Sequence, residues 1–377
     1  MTDDILIIGG GFAGAALAYH LAKAGAGVTL LEAGAIGGGT SAVCAGRVQL
    51  IESETEAYLD MVLAGFARLQ TLEQELDTDL EWILPGHLTV LTSPDQWQQY
   101  EGLVARLRAR DIPAEMLDQT GLRAAEPLLR AESALGAAYS HEGHLNPFKF
   151  CAGFANAARR HGARVLIHTP VTGFERRGGR VSAVLAGARR FPAGLVVLAA
   201  GAWSGMLARQ VGAQFPMKFS HAEAIISEKL PPVLNHHVGM SGFYEAVHGS
   251  ARSVTLGIGQ HPAGSLLISN AVQQAEGIDR ASTDWGMPAV ARALQTFFPR
   301  LAGVRILRTW SAPSPFLPDF LPALGWLPGF ENLYVAAGFH LAIPTIPLLT
   351  EAAAAHILSG ERSPWLAGFD PGRFHDM

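Results

Sequence analysis

Six residues near the start of the chain, Gly9-Gly10-Gly11-Phe12-Ala13-Gly14, carry the spacing G-x-G-x-x-G. Between a strand and a helix, that spacing serves pyrophosphate binding. Gly9 permits the tight turn, Gly11 lets backbone approach the phosphates, and Gly14 lets helix and strand pack closely. The helix opening at Phe12 and Ala13 then turns its unpaired N–H groups on the anion. Glu32 stands 18 residues beyond Gly14, where an acid accepts hydrogen bonds from an adenosine ribose and disfavours a 2′-phosphate. The competing use is a glycine-rich packing turn beside a surface acid, which leaves strand, helix and acid as coincidences.

From Ala33 through Ala45 and Gly46 the chain reads AGAIGGGTSAVCAG, with nothing larger than Ile36. Such a stretch is either a flexible surface loop or a bed of bare main chain for something large. A nicotinamide dinucleotide needs little such room. An extended FAD runs along the loop, and Thr40 and Ser41 offer it N–H and hydroxyl groups. A second glycine run, Gly257-Ile258-Gly259-Gln260-His261-Pro262, lacks the third glycine and reads as a hairpin turn. The expectation is one FAD and no NAD(P)H site, so that the substrate itself supplies the electrons.

The elements that must position these residues follow from apolar periodicity. Residues 4–8 and 27–31 read as buried strands around a helix over 12–25, a parallel β-α-β unit. Helices are expected over 55–77, 94–109, 118–125 and 146–162, and strands near 81–91, 164–168, 171–176, 180–186 and 194–199. Between 216 and 313 the pattern changes to strands at 221–227, 253–259, 264–269 and 304–311 with one helix at 287–298, which predicts an antiparallel sheet. A buried strand at 333–336 and a helix at 344–358, started by Pro344 and Pro347, close the chain. The fold class expected is α/β plus α+β: a Rossmann-type FAD-binding domain (1–50, 144–216 and 318–377) and a discontinuous antiparallel-sheet substrate domain (51–143 and 217–317).

Bulk properties narrow the function classes. The 377 residues are too many for one core, and a net charge of −5 gives no reason to expect nucleic acid or an anionic membrane surface as partner. Two cysteines, Cys44 and Cys151, are too few for a disulfide framework, and no metal-ligand spacing surrounds them, so no metal is expected. No basic leader and no apolar run of about 18 residues is evident, so the expected location is cytoplasmic, with peripheral membrane attachment only through partners.

The constellation resembles the FAD-dependent D-amino-acid-oxidase-like family, which includes glycine oxidase and sarcosine oxidase. Four stretches carry the likeness: IIGGGFAGAALAYHLAKAGAGVTLLE at 7–32, GGGTSAVCAG at 37–46, LVVLAAGAWS at 195–204 and LPDFLPALGWLPGFENLYVAAGFH at 317–340. Length and loop composition look most like the flavin-bearing β subunits of dye-linked, multi-subunit dehydrogenases for opines, proline or D-hydroxyproline. The resemblance implies that Val171 touches the adenine side, that Ala200 and Gly201 lie by the phosphates with Trp203 nearby, and that Gly338, Phe339, His340, Leu341, Ala342 and Ile343 lie by the flavin ring. It also implies partner subunits, with a second flavin or an iron–sulfur centre, as electron acceptors.

One departure stands out. Amino-acid-oxidising relatives carry a carboxylate-clamping Arg on the strand before the Pro-Asp motif. Here that stretch is Trp310-Ser311-Ala312-Pro313-Ser314-Pro315, with Ser314 near its place. Tyr244, Arg252, Arg305 and Arg308 are the candidates to meet a carboxylate instead, and His340 to hold the substrate or tune the ring. Trp310, Phe243 and Phe339 are candidates to wall an apolar pocket. Oxygen-using relatives place a Lys over the ring, and Lys218, the most plausible lysine here, does not align with it. The activity expected is oxidation of an amine next to a carboxylate by hydride transfer to flavin N5, with electrons passed to a partner or dye. A self-sufficient glycine or sarcosine-type oxidase and a non-catalytic electron-relay subunit are the rivals.

Overall fold

Four apolar residues, Ile5–Ile8, are all buried, and their strand lies inside a six-stranded sheet. The computed structural model describes residues 5–53, 55–242, 252–339 and 342–374. Phe243, Tyr244, His340 and Leu341 lie outside the described residues. Ile5–Ile8 pairs in parallel with Val28–Leu31 on one side and Leu195–Leu198 on the other. Leu333–Ala337 extends the sheet beyond Leu195–Leu198, and Arg164–Leu166 extends it beyond Val28–Leu31. Ala323–Trp326 adds an antiparallel edge. Both faces are covered, which is why these strands are apolar without alternation.

The helix Phe12–Lys23 runs back over this sheet and packs against the helices Pro147–Arg160 and Ala342–Ser359. Asn146 caps Pro147–Arg160, its Oδ1 accepting from the amides of Phe148 and Lys149. Ala342–Ser359 is long and apolar enough to cross a membrane, but Ile343, Ile346, Leu349 and Ala353 are buried in the protein core. Each such Ile or Leu contributes about 1.5–3 kcal/mol by leaving water. The helix begins two residues before the expected start, and Pro347 sits inside it rather than at its beginning. Pro347 lies past the first four residues, so it costs the helix one i→i−4 hydrogen bond, a loss offset by burial of this stretch in the core.

A second sheet has eight strands in the order 306–316, 218–229, 265–275, 253–260, 237–240, 87–91, 136–140, 114–118. It is antiparallel except at one place. His237–Met240 and His87–Leu91 run parallel, and they join strands from the chain before residue 143 to strands from the chain after 217. A parallel pair needs a long crossover, which the intervening chain provides. One sheet face packs Val90, Ile225, Ile258 and Ile268 with the helix Gly286–Phe297. The opposite face looks across at the glycine turn of the first sheet.

Several elements exceed the reading from periodicity. Lys218–Lys229, Ser265–Ala275 and Ile306–Phe316 are longer than expected because ladder pairing carries each strand past its apolar run. Ala114–Asp118, Gly136–Ser140 and His237–Met240 carry little β-branched sequence and are strands through their pairing partners.

Candidate active site

Between the two sheets lies a cavity of about 690 Å³, within the range of about 300–1,000 Å³ usual for ligand sites. Its floor is the glycine turn. Gly9 has φ +106°, and a Cβ there would sit 2.5 Å from the Ala199 carbonyl oxygen, so only glycine fits. A Cβ on Gly14 would sit 1.9 Å from the Gly9 oxygen. Gly14 is therefore a packing residue, and it does not line the cavity. The helix from Phe12 has no acid in its first turn, leaving its positive end open to an anion.

The bare loop is ordered by its own hydrogen bonds. Glu32 accepts from the Gly10 amide through Oε2 at 2.6 Å and from the Gly34 amide through Oε1 at 2.7 Å. Gly37 donates to the Gly10 carbonyl at 2.8 Å. Thr40–Val43 forms a single 3-10 turn where an open loop was expected. The two hydroxyls in it are already engaged: Ser41 Oγ accepts from the Phe12 amide at 3.1 Å, and Thr40 Oγ1 donates to the Pro313 carbonyl at 3.2 Å. The Thr40 hydroxyl thus ties the loop to the second sheet. The Trp203 ring lies on Gly39, where a Cβ would be 3.3 Å from it, and the loop's small residues make room for that packing as well.

The cavity brings together most residues singled out by the sequence. At one end Glu32 and Ala33 face Val171 and Pro170. The middle is walled by Gly11, Phe12 and Ala13 against Ala200, Gly201 and Trp203. At the other end Ala45, Gly338, Phe339, Ala342 and Ile343 meet Trp310 and Ser314. Trp310 and Ser314 face inward beside Ala224 and Ser220, their partners on the neighbouring strand.

Four candidate residues need correction. Arg252 does not line the cavity; its Nε donates to Gln273 at 2.9 Å and its guanidinium covers the Trp285 ring at 5.2 Å, on the exposed side of the sheet. Arg305 is exposed and forked onto Glu228, and Arg308 is exposed further along the same edge strand. Gly46 does not line the cavity either. With φ +75° it is a turn residue, packed so that a Cβ would meet the Leu145 oxygen at 2.2 Å and the His144 ring at 2.7 Å. Lys218 is exposed, and among the described residues no lysine lines the cavity.

Sequence reasoning missed Arg47, Gln49, Glu223 and Arg280, which all line the cavity. The strand Arg47–Val48 turns Val48 into the core at 0% exposure, which sends 47 and 49 together to the other face. That alternation after the small-residue loop was the available signal. Glu223 is buried and accepts from the Thr283 amide and hydroxyl; an acid within an apolar strand announces no such role. Arg280 reaches from the second sheet's loop to the Gly38 carbonyl at 3.4 Å.

Beside Arg47 the fold gathers histidines that are far apart in sequence. His144 packs edge-on against His237 and His261, with ring centroids 5.2 and 4.5 Å away. Burial, reinforced by His261, lowers the His144 imidazole to about 3, and burial holds His87 and His237 well below their ordinary value. All three are neutral at pH 7. Among the described residues no three acid, thiol or imidazole groups gather in an arrangement that could hold a metal.

A dinucleotide fits these residues: a floor that only glycine satisfies, an acid-free helix end, and an acid at the adenosine end. Comparison with known proteins agrees. Residues 4–356 match the model of the DAO family, described as FAD dependent oxidoreductase. The chain is 28% identical over 393 aligned residues to mitochondrial sarcosine dehydrogenase of Homo sapiens, covering 99% of this chain and 42% of that protein. It thus spans less than half the length of that relative. It is 26% identical to hydrogen cyanide synthase subunit HcnC of Pseudomonas protegens, covering 89% of this chain and 87% of that one. In fold it is similar to L-proline dehydrogenase from P. horikoshii, with TM-score 0.87 and 23% identity over 99% of this chain and 98% of that one. Glycine oxidase from Geobacillus kaustophilus gives TM-score 0.87 and 24% identity over 99% of both chains. With the family model spanning nearly the whole chain, this protein belongs to the DAO family of FAD-dependent oxidoreductases.

Proposed function

We propose that the protein oxidises a small amine bearing a neighbouring carboxylate, an amino acid, N-methyl amino acid or opine, and passes the electrons to a partner protein or dye rather than to oxygen. The observation that carries this reading is the composition of the ring end of the cavity. Trp310, Phe339, Ile343 and Ile346 make it apolar, while Arg47 and Gln49 place polar groups in the same wall. Bound FAD supplies the redox chemistry, accepting two electrons from the substrate.

The residues then have separable tasks. Trp310 and Phe339 exclude water and orient a short carbon chain. Ala342 and Ile343 bring the N-terminal end of a helix to the cavity, a positive dipole end suited to negative charge developing on the cofactor. The substrate must arrive as the free amine. No acid–base dyad is needed for that beyond solvent, since removing the α hydrogen as hydride leaves no proton to abstract from carbon. The relatives' names support the substrate class: sarcosine and proline dehydrogenases and a glycine oxidase all take an amine beside a carboxylate. The acceptor assignment is supported by the absence of a cavity-lining lysine among the described residues.

The test is an anaerobic screen of glycine, sarcosine, proline, D-amino acids and opines against the FAD-loaded protein. At least one is expected to bleach the flavin band. Bleaching by none of them removes the reading. Peroxide formed as fast as a dye is reduced removes the acceptor assignment alone.

A further inference from the structure

Among the described residues, four charged side chains line the cavity: Glu32, Arg47, Glu223 and Arg280. Three are committed elsewhere. Glu32 holds Gly10 and Gly34, Glu223 holds Thr283, and the exposed Arg280 reaches for the Gly38 carbonyl. Arg47 differs. Its Nη2 donates to His87 Nε2 at 2.7 Å, while Nε and Nη1 take no partner among the described residues.

We infer that Arg47 grips the carboxylate of the substrate, in a fork held open by His87 and Glu142; the inference rests on the amine-oxidation reading above. Its position suits the task. The strand Arg47–Val48 packs on the helix Ala342–Ser359, whose first residues line the ring end of the cavity. From there the guanidinium reaches the second sheet, where a Cβ on Gly239 would lie 3.7 Å from Nη1. That is ordinary contact for the guanidinium, whereas the same Cβ would sit 2.9 Å from His87 Nε2, so the missing side chain at Gly239 makes room for the His87 ring that holds Arg47.

The support behind Arg47 is built for a fixed orientation. A guanidinium only donates, so His87 Nε2 must accept and the ring proton must sit on Nδ1. Nδ1 lies 3.3 Å from Thr89 Oγ1 and 3.7 Å from Glu142 Oε2. Burial, with Arg47 adding to it, keeps this imidazole neutral. Glu142 spends Oε1 on the amides of Leu50 and Ile51 at 2.9 and 3.0 Å. Its Oε2 makes no hydrogen bond of good geometry among the described residues and stands 3.8 Å from Arg47 Nη2. That separation balances the buried charge without occupying the fork. Nη2 spends one hydrogen on His87 and keeps a second, which with an adjoining unpartnered N–H makes an edge of two parallel donors, the geometry a carboxylate takes. Such an edge supplies what is missing at Ser314.

The experiment titrates FAD-loaded protein with sodium acetate and, separately, with acetamide, reading the perturbation of the flavin absorbance band. Wild type should bind acetate and ignore acetamide. Arg47→Gln should weaken acetate about ten- to a hundredfold, the loss expected for charge-assisted bonds, with Arg47→Lys restoring part of it through a point charge. For any amine found to bleach the flavin, Arg47→Gln should raise KM by a similar factor and change kcat less. Both variants must retain FAD, and Arg47→Lys keeps the counter-charge of Glu142 should Arg47→Gln fold poorly. Acetate affinity within twofold of wild type in both variants, equal response to acetate and acetamide, or no response to acetate in wild type overturns the inference. If acetate binding depends on Arg47 but no amine bleaches the flavin, the anion site stands and the reaction assignment falls.

Discussion

The carboxylate of Glu32 and the amide of Gly10 lie 2.6 Å apart, so the acid at the end of one strand holds the glycine turn at the end of its neighbour. With Gly34 on its other oxygen, Glu32 orders both sides of the adenosine end and keeps further lone pairs for a ribose. Glu32→Gln turns one acceptor into a donor facing an N–H. It should weaken FAD binding by about ten- to a hundredfold, read by fluorescence quenching of FAD added to apoprotein. Unchanged affinity would show that the acid serves the turn and not the cofactor.

Gly65 lies in the helix Glu56–Leu76 far along the chain from the glycine turn, yet a Cβ on it would fall 1.7 Å from the Pro344 carbonyl oxygen. Gly65→Ala must push the helix Ala342–Ser359 away at its cavity end. A cost of about 1–3 kcal/mol is expected from overpacking, together with a shifted flavin midpoint potential. A variant with wild-type melting temperature and potential would mean the two helices slide apart freely.

Four buried histidines set the acid limit of stability. Burial lowers His20 and His144 to about 3 and holds His87 and His237 well below their ordinary value. Unfolded, each takes a proton near 6.5. Between that value and the folded one the unfolded chain binds more protons, so the stabilisation is complete above about pH 6.5 and is lost as pH falls toward 3. The slope is about 1.4 kcal/mol per pH unit for each fully shifted histidine. Glu142, raised by burial, acts with the opposite sign, but it is one group against four. Melting temperature at saturating FAD should therefore drop from pH 7 to pH 5, and His144→Gln should flatten the curve. A flat wild-type profile is the contrary result.

Both cysteines should be chemically silent. Burial pushes the Cys44 thiol up to about 11 and raises Cys151 further. Only the thiolate attacks a disulfide reagent. FAD-loaded protein should release no colour from Ellman's reagent at pH 8, and two equivalents once denatured. Fast labelling of Cys44 in the folded protein would show that solvent reaches the ring end of the cavity.

Arg252, Arg305 and Arg308 act as controls. Arg305 forks onto Glu228 at the exposed sheet edge and Arg252 stacks on Trp285. Exposed pairs of this kind contribute little. Alanine at each position should leave FAD content, KM and melting temperature unchanged within error. A raised KM in one of them would move the carboxylate site from Arg47 to that edge.

The sequence by itself determined the local chemistry of the cofactor end. Gly9, Gly14 and Glu32 are legible because each requirement there is local: a positive φ, a close packing, an acid at a strand end. The periodic helices Glu56–Leu76, Pro94–Arg108 and Pro147–Arg160 were likewise visible, since each buries one face of its own sequence. Only the tertiary structure decided the substrate end. His144 meets Arg47 across an antiparallel pair of short strands, and a parallel pair sets His237 beside His87, so distant parts of the chain reach the same wall, and no local pattern encodes which strand becomes whose neighbour. Strand order likewise left Arg308 on an edge strand, while Arg47 faces the cavity. A side chain's type is written in the sequence; its partners and its exposure are set by long-range pairing.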